Sequence, residues 1–237
     1  MNMTTEQTEV LAVPTHLGFI LDGNRRWAKE HGLPVIEGHR EGYRTLKKVA
    51  KAGLKYGVRY MSAYVFSTEN WQRDRDEVKQ LMNLLRWILK HEIEEFNREG
   101  IRLRVIGSKV KMGASLAKVI HEAEEKTKSN KRGTLLICLD YGGHQEIVDA
   151  VKRITELGYT PEDITVELIN KFLYAPDVPP IDLVIRTSGE QRTSGFMMWE
   201  STYSELLFDA ANWPDFDEAH LQLALQEYTK RQRRFGK

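Results

Sequence analysis

Short apolar runs recur along this 237-residue chain, each closed by a polar turn and followed by a stretch of helical periodicity, and this alternation constrains the fold most. Leu17–Leu21, Val58–Ser67, Ile101–Gly107, Thr134–Asp140 and Asp182–Arg186 have the length of buried strands rather than of core helices, and Tyr203–Phe208 adds a sixth candidate. Between them lie predicted helices at Asn24–Lys29, Glu41–Tyr56, Asp76–Arg98, Ala114–Lys128 and Gln145–Leu157. A short helix opens at Thr160-Pro161-Glu162-Asp163, and Asp217–Arg233 closes the chain. The pattern predicts an α/β fold: a single domain with a mostly parallel central sheet and helices on both faces. No linker, repeat or low-complexity segment interrupts it. Residues 1–14 are polar and read as a flexible N-terminal tail, leaving 15–237 as the domain.

The first run carries the sharpest chemical signal. In HLGFILDGNRRW, an apolar strand breaks at Asp22-Gly23-Asn24 and turns basic at Arg25-Arg26. Asn24 is a candidate N-cap for the following helix. The carboxyl ends of parallel strands are where open α/β sheets bind ligands. A glycine, a helix N-terminus and two guanidinium groups there favour an anion, phosphate above all. An aspartate among phosphate-binding groups fits a bridging hard cation such as Mg²⁺, which takes few protein carboxylates and completes its shell with phosphate oxygens and water. A plain strand–turn–helix with solvated Arg side chains fits the stretch equally well.

Three strands end in polar loops: Asp22–Arg26, Ser67–Arg73 and Arg186–Ser194. On one sheet edge they bring together Arg25, Arg26, Arg73, Arg186 and Arg192. Guanidinium groups so gathered repel one another without anions to neutralise them, which favours two diphosphate groups over a neutral ligand. The Asp76–Arg98 helix has a core stripe of Leu81, Leu84, Leu85, Ile88, Ile93 and Phe96, widened by Met82, Trp87 and Leu89. Such a wide arc belongs to a helix buried on two sides or to one lining an apolar cavity.

Composition excludes several classes. Lysine plus arginine number 35 against 34 acids, so there is no nucleic-acid footprint. Cys138 is the only cysteine and lies in an apolar run, which rules out an intrachain disulfide and fits a reducing, cytoplasmic setting. No run reaches the ~18–20 apolar residues of a spanning helix. No Gly-x-Gly-x-x-Gly follows the first strand, which argues against a dinucleotide fold. A phosphohydrolase using Asp22 as nucleophile lacks a second carboxylate or lysine beside it.

The blocks HLGFILDGNRRWA, GHREG, YVFSTENWQR, DYGG, DLVIRTSGEQRTSGFMMWESTYSEL, WPDF and RRFG, in this order from His16 to Gly236, closely resemble cis-prenyltransferases of the undecaprenyl diphosphate synthase type. The resemblance implies an α/β homodimer that condenses isopentenyl diphosphate onto an allylic diphosphate primer, with a cis double bond formed at each step and magnesium required. It makes Asp22 the catalytic, metal-holding aspartate, with Asn70 and Arg73 orienting the reacting groups. Gly23, Asn24, Arg25, Arg26 and Trp27 match the primer-diphosphate loop, with His39 beside it. Phe66, Ser67, Glu69 and Trp71 complete the second block; Arg186, Arg192 and Ser194 match the isopentenyl diphosphate site. Glu205 matches a second metal-binding residue at the dimer interface, and Arg234 and Gly236 match a C-terminal element that reaches the partner's substrate site. Four positions depart from the family pattern: Val35 and His144 where Arg is common, and Asp140 and Gly195 where Asn is usual. The implied product is a medium to long polyprenyl diphosphate, undecaprenyl in the first instance, released at a peripheral membrane contact on the inner face. A short-chain synthase and a non-catalytic subunit of a heteromeric relative are the alternatives.

Overall fold

The computed structural model describes residues 12–108 and 110–231. Six strands form one sheet: His16–Ile20 (β1), Tyr60–Ser67 (β2), Ile101–Ile106 (β3), Gly133–Tyr141 (β4), Leu183–Arg186 (β5) and Glu205–Phe208 (β6). Their order is β3-β4-β2-β1-β5-β6 and every neighbouring pair is parallel. The helices are Asn24–Glu30 (α1), Val35–Tyr56 (α2), Arg75–His91 (α3), Ile93–Arg98 (α4), Gly113–Thr127 (α5), Gly143–Glu156 (α6), Val166–Phe172 (α7) and Glu218–Lys230 (α8).

Alternation along the strands divides the core into two layers. Leu17, Phe19, Leu135, Ile137, Leu139, Leu183 and Ile185 face α2, α3, α4, α5 and α8. Ile20, Leu136, Cys138 and Val184 face the opposite layer, with Ile181, Phe196 and Met197. Strands covered on both sides read as continuous apolar runs, which is why the sequence marks them.

The elements differ from expectation in four places. The N-cap of α1 is Gly23, not Asn24; Asn24 is the first helical residue, and its amide donates back to the Leu21 carbonyl (3.2 Å). The α2 helix begins at Val35, directly after Pro34, so Gly38 and His39 lie inside it. The long helix is two, because the chain turns at Glu92, whose carboxylate is held by Lys47 (2.7 Å) and Tyr43 (3.2 Å) of α2. Pro161–Asp163 is a single 3-10 turn, and α7 starts afresh after Thr165, whose hydroxyl accepts from the Leu168 amide (3.1 Å).

Candidate active site

The polar turn after β1 is built by bonds between residues far apart in sequence. Thr187, directly after β5, donates its hydroxyl to the Asp22 carbonyl (2.7 Å) and accepts from the Asp22 amide (3.1 Å). Trp213 also donates its amide to the Asp22 carbonyl (2.9 Å). Gly23 adopts φ +102, and a Cβ there would meet Asn212. Only glycine takes this conformation without strain and leaves that space free. Its amide donates to Asp22 Oδ1 (2.8 Å). On the far side, a Cβ at Gly38 would collide with the Asn24 carbonyl, so the glycine lets α2 lie against the start of α1.

Arg186, at the end of β5, is buried and links the loops. It donates through Nη2 to Asp22 Oδ2 (2.8 Å) and through Nη1 to Ser194 Oγ (2.9 Å) and the Arg192 carbonyl. Ser67 closes β2, its amide donating to Asn70 Oδ1 (3.1 Å) in the turn Thr68–Gln72. Arg73 follows and reaches Glu77 (3.4 Å), which also faces Arg25 (3.8 Å).

Asp22, Gly23, Asn24, Arg25, Arg26, His39, Ser67, Asn70, Arg73, Arg186 and Ser194 line a single pocket of about 440 Å³ at the carboxyl edge of the sheet. Three buried polar atoms at this pocket have no hydrogen-bond partner among the described residues: Asn24 Oδ1, His39 Nε2 and Arg186 Nε. Buried polar groups are nearly always paired, so these atoms are the ones at the pocket open to a ligand or water; His39 Nε2 also faces the Glu77 carboxylate at 4.0 Å. Burial, with Arg73 and Arg25 nearby, pushes the His39 pKa down to about 4. The ring is therefore neutral at pH 7. Arg73 is held below its ordinary value, by burial first.

A second, apolar cavity of about 90 Å³ runs beneath the sheet edge between α2, α3 and the strands. Leu81, Leu84, Leu85, Ile88 and Leu89 of α3 line it, with Ile93 and Phe96 of α4 and Leu103, Leu135 and Ile137 of the sheet. Leu21, Asn24, His39 and Val65 belong to both spaces, so the polar pocket and the apolar cavity share a border. Val65 stands there because the β2 register on β4 skips it: Tyr64 lies opposite Cys138 and Phe66 opposite Leu139. An extra residue in a strand re-aims the side chains around it.

Some candidate residues stand elsewhere. Trp27 points away from the pocket; its indole donates to Asp215 (2.7 Å) and stacks on His31. Trp71 donates to Asp140 (2.6 Å), and Glu69 accepts from Thr68 (3.0 Å). Arg192 reaches Glu190 (2.6 Å) with its side chain and contributes its backbone carbonyl to Arg186. Arg26 donates to the Ser188 carbonyl (2.9 Å) while lining the pocket rim. Glu205 opens the edge strand β6 in register with Leu183 and hence with Leu17. It therefore lies roughly 16 Å along the sheet from Asp22, at about 3.3 Å per residue, and within the chain it pairs with Arg231 (3.2 Å). Arg234 and Gly236 lie outside the described residues. Of the three residues that widen the α3 arc, only Leu89 lines the cavity: Met82 packs into the core and Trp87 is exposed against His91. Thr187, Tyr64 and Val65 escape sequence reasoning, although the first follows the β5 arginine directly.

The donor set suits magnesium only together with a diphosphate. Asp22 faces the pocket with its side chain about a third exposed. No three His, Cys, Asp or Glu side chains cluster to hold a metal among the described residues. One carboxylate with phosphate oxygens and water is a normal Mg²⁺ shell.

A polar, arginine-rich pocket at the carboxyl edge of a parallel sheet, bordered by an apolar cavity, defines an α/β protein with groups suited to an anion beside an apolar space. Comparison with known proteins narrows that class. Residues 20–236 match the family described as "Putative undecaprenyl diphosphate synthase". The chain is 42% identical to Isoprenyl transferase 2 of Bradyrhizobium diazoefficiens, over 98% of this chain and 94% of that protein. It is 42% identical to the trans,polycis-polyprenyl diphosphate synthase ((2Z,6E)-farnesyl diphosphate specific) of Thermobifida fusca, over 94% of this chain and 81% of that protein. The crystal structure of lavandulyl diphosphate synthase from Lavandula x intermedia, in complex with dimethylallyl diphosphate, superposes with a TM-score of 0.90 at 32% identity, covering 97% of this chain and all of that one. The chain belongs to the undecaprenyl diphosphate synthase family of prenyltransferases.

Proposed function

We propose that this prenyltransferase condenses isopentenyl diphosphate onto farnesyl diphosphate and extends it, one cis unit at a time, to a polyprenyl diphosphate of undecaprenyl length. The observation that carries this reading is the shared border: a pocket rich in guanidinium groups lies against a cavity of leucine, isoleucine and phenylalanine, with Leu21, Asn24, His39 and Val65 lining both. A diphosphate head and a hydrocarbon tail are the two halves of such a ligand.

Each step breaks the allylic carbon–oxygen bond, forms a carbon–carbon bond to the isopentenyl group, and releases diphosphate and one proton. In this reading Asn24, Arg25, Arg26 and His39 hold the primer diphosphate. Arg186 and Ser194 hold the isopentenyl diphosphate, Arg192 joins them by leaving Glu190, and Asn70 and Arg73 align the two. Charge builds on the departing diphosphate, and fixed donors aimed there stabilise the transition state more than the ground state. Asp22 and the bound diphosphate would hold Mg²⁺, which supplies positive charge against that leaving group. The His39 ring, neutral at working pH, contributes a hydrogen bond rather than charge. Water is excluded from the tail side by the leucine face of α3. Because Glu205 is on the edge strand and far from its own Asp22, a metal-binding role for it requires the partner protomer of a homodimer. No helix among the described residues is long and apolar enough to cross a membrane, so an apolar product would leave through a peripheral contact.

A shorter product is the second reading: the cavity, about 90 Å³ in this structure, must widen to take a prenyl tail, and each added unit demands more. The Asp22-Gly23-Asn24 loop argues against a non-catalytic subunit. The deciding experiment incubates the purified chain with magnesium, farnesyl diphosphate and excess isopentenyl diphosphate and sizes the extracted lipids by mass spectrometry. The expected result is a metal-dependent ladder ending near undecaprenyl diphosphate. A ladder that stops early supports the short-chain reading, and no elongation from farnesyl, geranyl or dimethylallyl primers overturns both.

A further inference from the structure

The turn that carries Asn70 and Arg73 hangs on one buried carboxylate. Asp140, near the end of β4, is 2% exposed and sits in the left-handed region at φ +51. Its Oδ1 accepts from the Trp71 indole (2.6 Å) and its Oδ2 from the Ser108 hydroxyl (2.8 Å), with the Lys111 amide at 3.5 Å. Its carbonyl accepts from the Ser108 amide (3.0 Å). All of these partners are donors, which suits an ionised carboxylate, and bonds to an ionised acceptor are shorter and stronger than neutral ones. Trp71 also packs edge-on against Phe66 of β2, ring centres 5.0 Å apart. A rigid central strand thus fixes an indole that lies between two pocket-lining residues, Asn70 and Arg73.

We propose that Asp140 is a positioning residue: through Trp71 it sets the Ser67–Arg73 turn so that Asn70 and Arg73 face the diphosphate pocket. The inference rests on the diphosphate reading given above. Asp140 never meets the ligand. Its acceptor is anchored by the sheet, and small misplacements of aligning groups are costly for bound reactants. An asparagine here would keep an acceptor for the indole and turn its amide to the Ser108 hydroxyl. It would preserve the geometry with a neutral, weaker bond.

The test uses the full chain with two readouts. Among the five tryptophan indole N–H signals in a ¹⁵N spectrum, Trp71→Phe identifies the Trp71 resonance. That resonance should lie downfield in the native protein and move upfield in Asp140→Asn. Calorimetry with inorganic diphosphate and magnesium should show about tenfold weaker binding for Asp140→Ala and for Trp71→Phe, the scale of one lost charge-assisted bond. Asp140→Asn should lose less than about threefold, and the Asp140→Ala/Trp71→Phe double variant should be no weaker than either single, since both cut the same link. If Asp140→Ala does not fold with alanine at positive φ, Trp71→Phe and Asp140→Asn carry the comparison. Additive losses, or unchanged diphosphate affinity alongside a shifted indole, overturn the positioning role. A native protein that does not bind diphosphate overturns the diphosphate reading itself, and that result is separable because it needs no variant.

Discussion

The polar pocket and the apolar cavity touch, yet they are made by opposite means. The pocket is assembled from loops after β1, β2 and β5, and directed bonds such as Arg186 to Asp22 hold it in place. The cavity is walled mainly by apolar faces of helices and strands, and side-chain packing sets most of its shape. A directed arrangement fails when one atom is lost, whereas a packed one yields in size. Changes in the pocket should therefore alter rate, and changes in the cavity should alter product.

The sharpest break of that contrast is Asp22→Ala. Turnover should fall roughly 10³-fold, the scale of losing a charge that acts in the transition state, while the lengths of any residual products stay as in the native enzyme. If chain length shifts as well, the two regions are not separable. The reciprocal change is Leu85→Trp, which fills the cavity from α3. It should shorten the ladder by one or more units with initial turnover changed less than about tenfold, read by mass spectrometry beside initial rates. A proportional loss of all products would place Leu85 in the head-group machinery instead.

The smallest effect concerns stability. Burial pushes the His16 and His39 pKa values down to about 4 and the Glu200 pKa up to about 8. A histidine held neutral stabilises the fold above its unfolded value near 6.5, and that contribution is lost as pH falls toward 4. A carboxyl held protonated does the reverse, and its contribution is lost as pH rises from about 4.5 toward 8. Glu146, close to Glu200, is pushed up by burial as well, so the two carboxyls lower stability as pH rises while the two histidines raise it up to about pH 6.5. Urea denaturation across pH should therefore show stability falling as pH rises above about 6.5, with a slope of about 1.4 kcal/mol per pH unit for each buried carboxyl still protonated in the fold. Glu200→Gln should flatten the alkaline limb. An unchanged limb would mean that Glu200 is ionised in the fold despite both of its oxygens lacking partners among the described residues.

Much of this arrangement is legible in the sequence for a physical reason. A strand buried on both faces is a continuous apolar run, and the turn after it is a local event, so Asp22, Arg73, Arg186 and Ser194 can be located from residue order alone. Orientation is not local. Trp27 and Trp71 sit in the same blocks as pocket residues, yet Asp215 and Asp140, from distant segments, claim their indoles. On α3 the sequence shows the width of the apolar arc but not its centre: Leu84 and Leu85, which read as core, line the cavity, and Trp87, a cavity candidate, faces outward. The extra residue at Val65 leaves no trace at all, because a skipped register exists only between two paired strands. Periodicity starts α2 too late, because Gly38 reads as a breaker until its contact with the Asn24 carbonyl is seen.

The bond from Arg186 to Asp22 joins positions 164 residues apart, and Trp213 closes the same turn from further still. On a ribosome adding about 5–20 residues per second, roughly 10–40 s pass between the appearance of the aspartate and that of its last anchor. For most of that interval β1 has no β5 beside it, and Asp22 lacks the arginine that holds its carboxylate. Such long-range closure is slow and places the site late in folding. The nascent chain therefore has no purchase on its substrate until nearly all of it has been made.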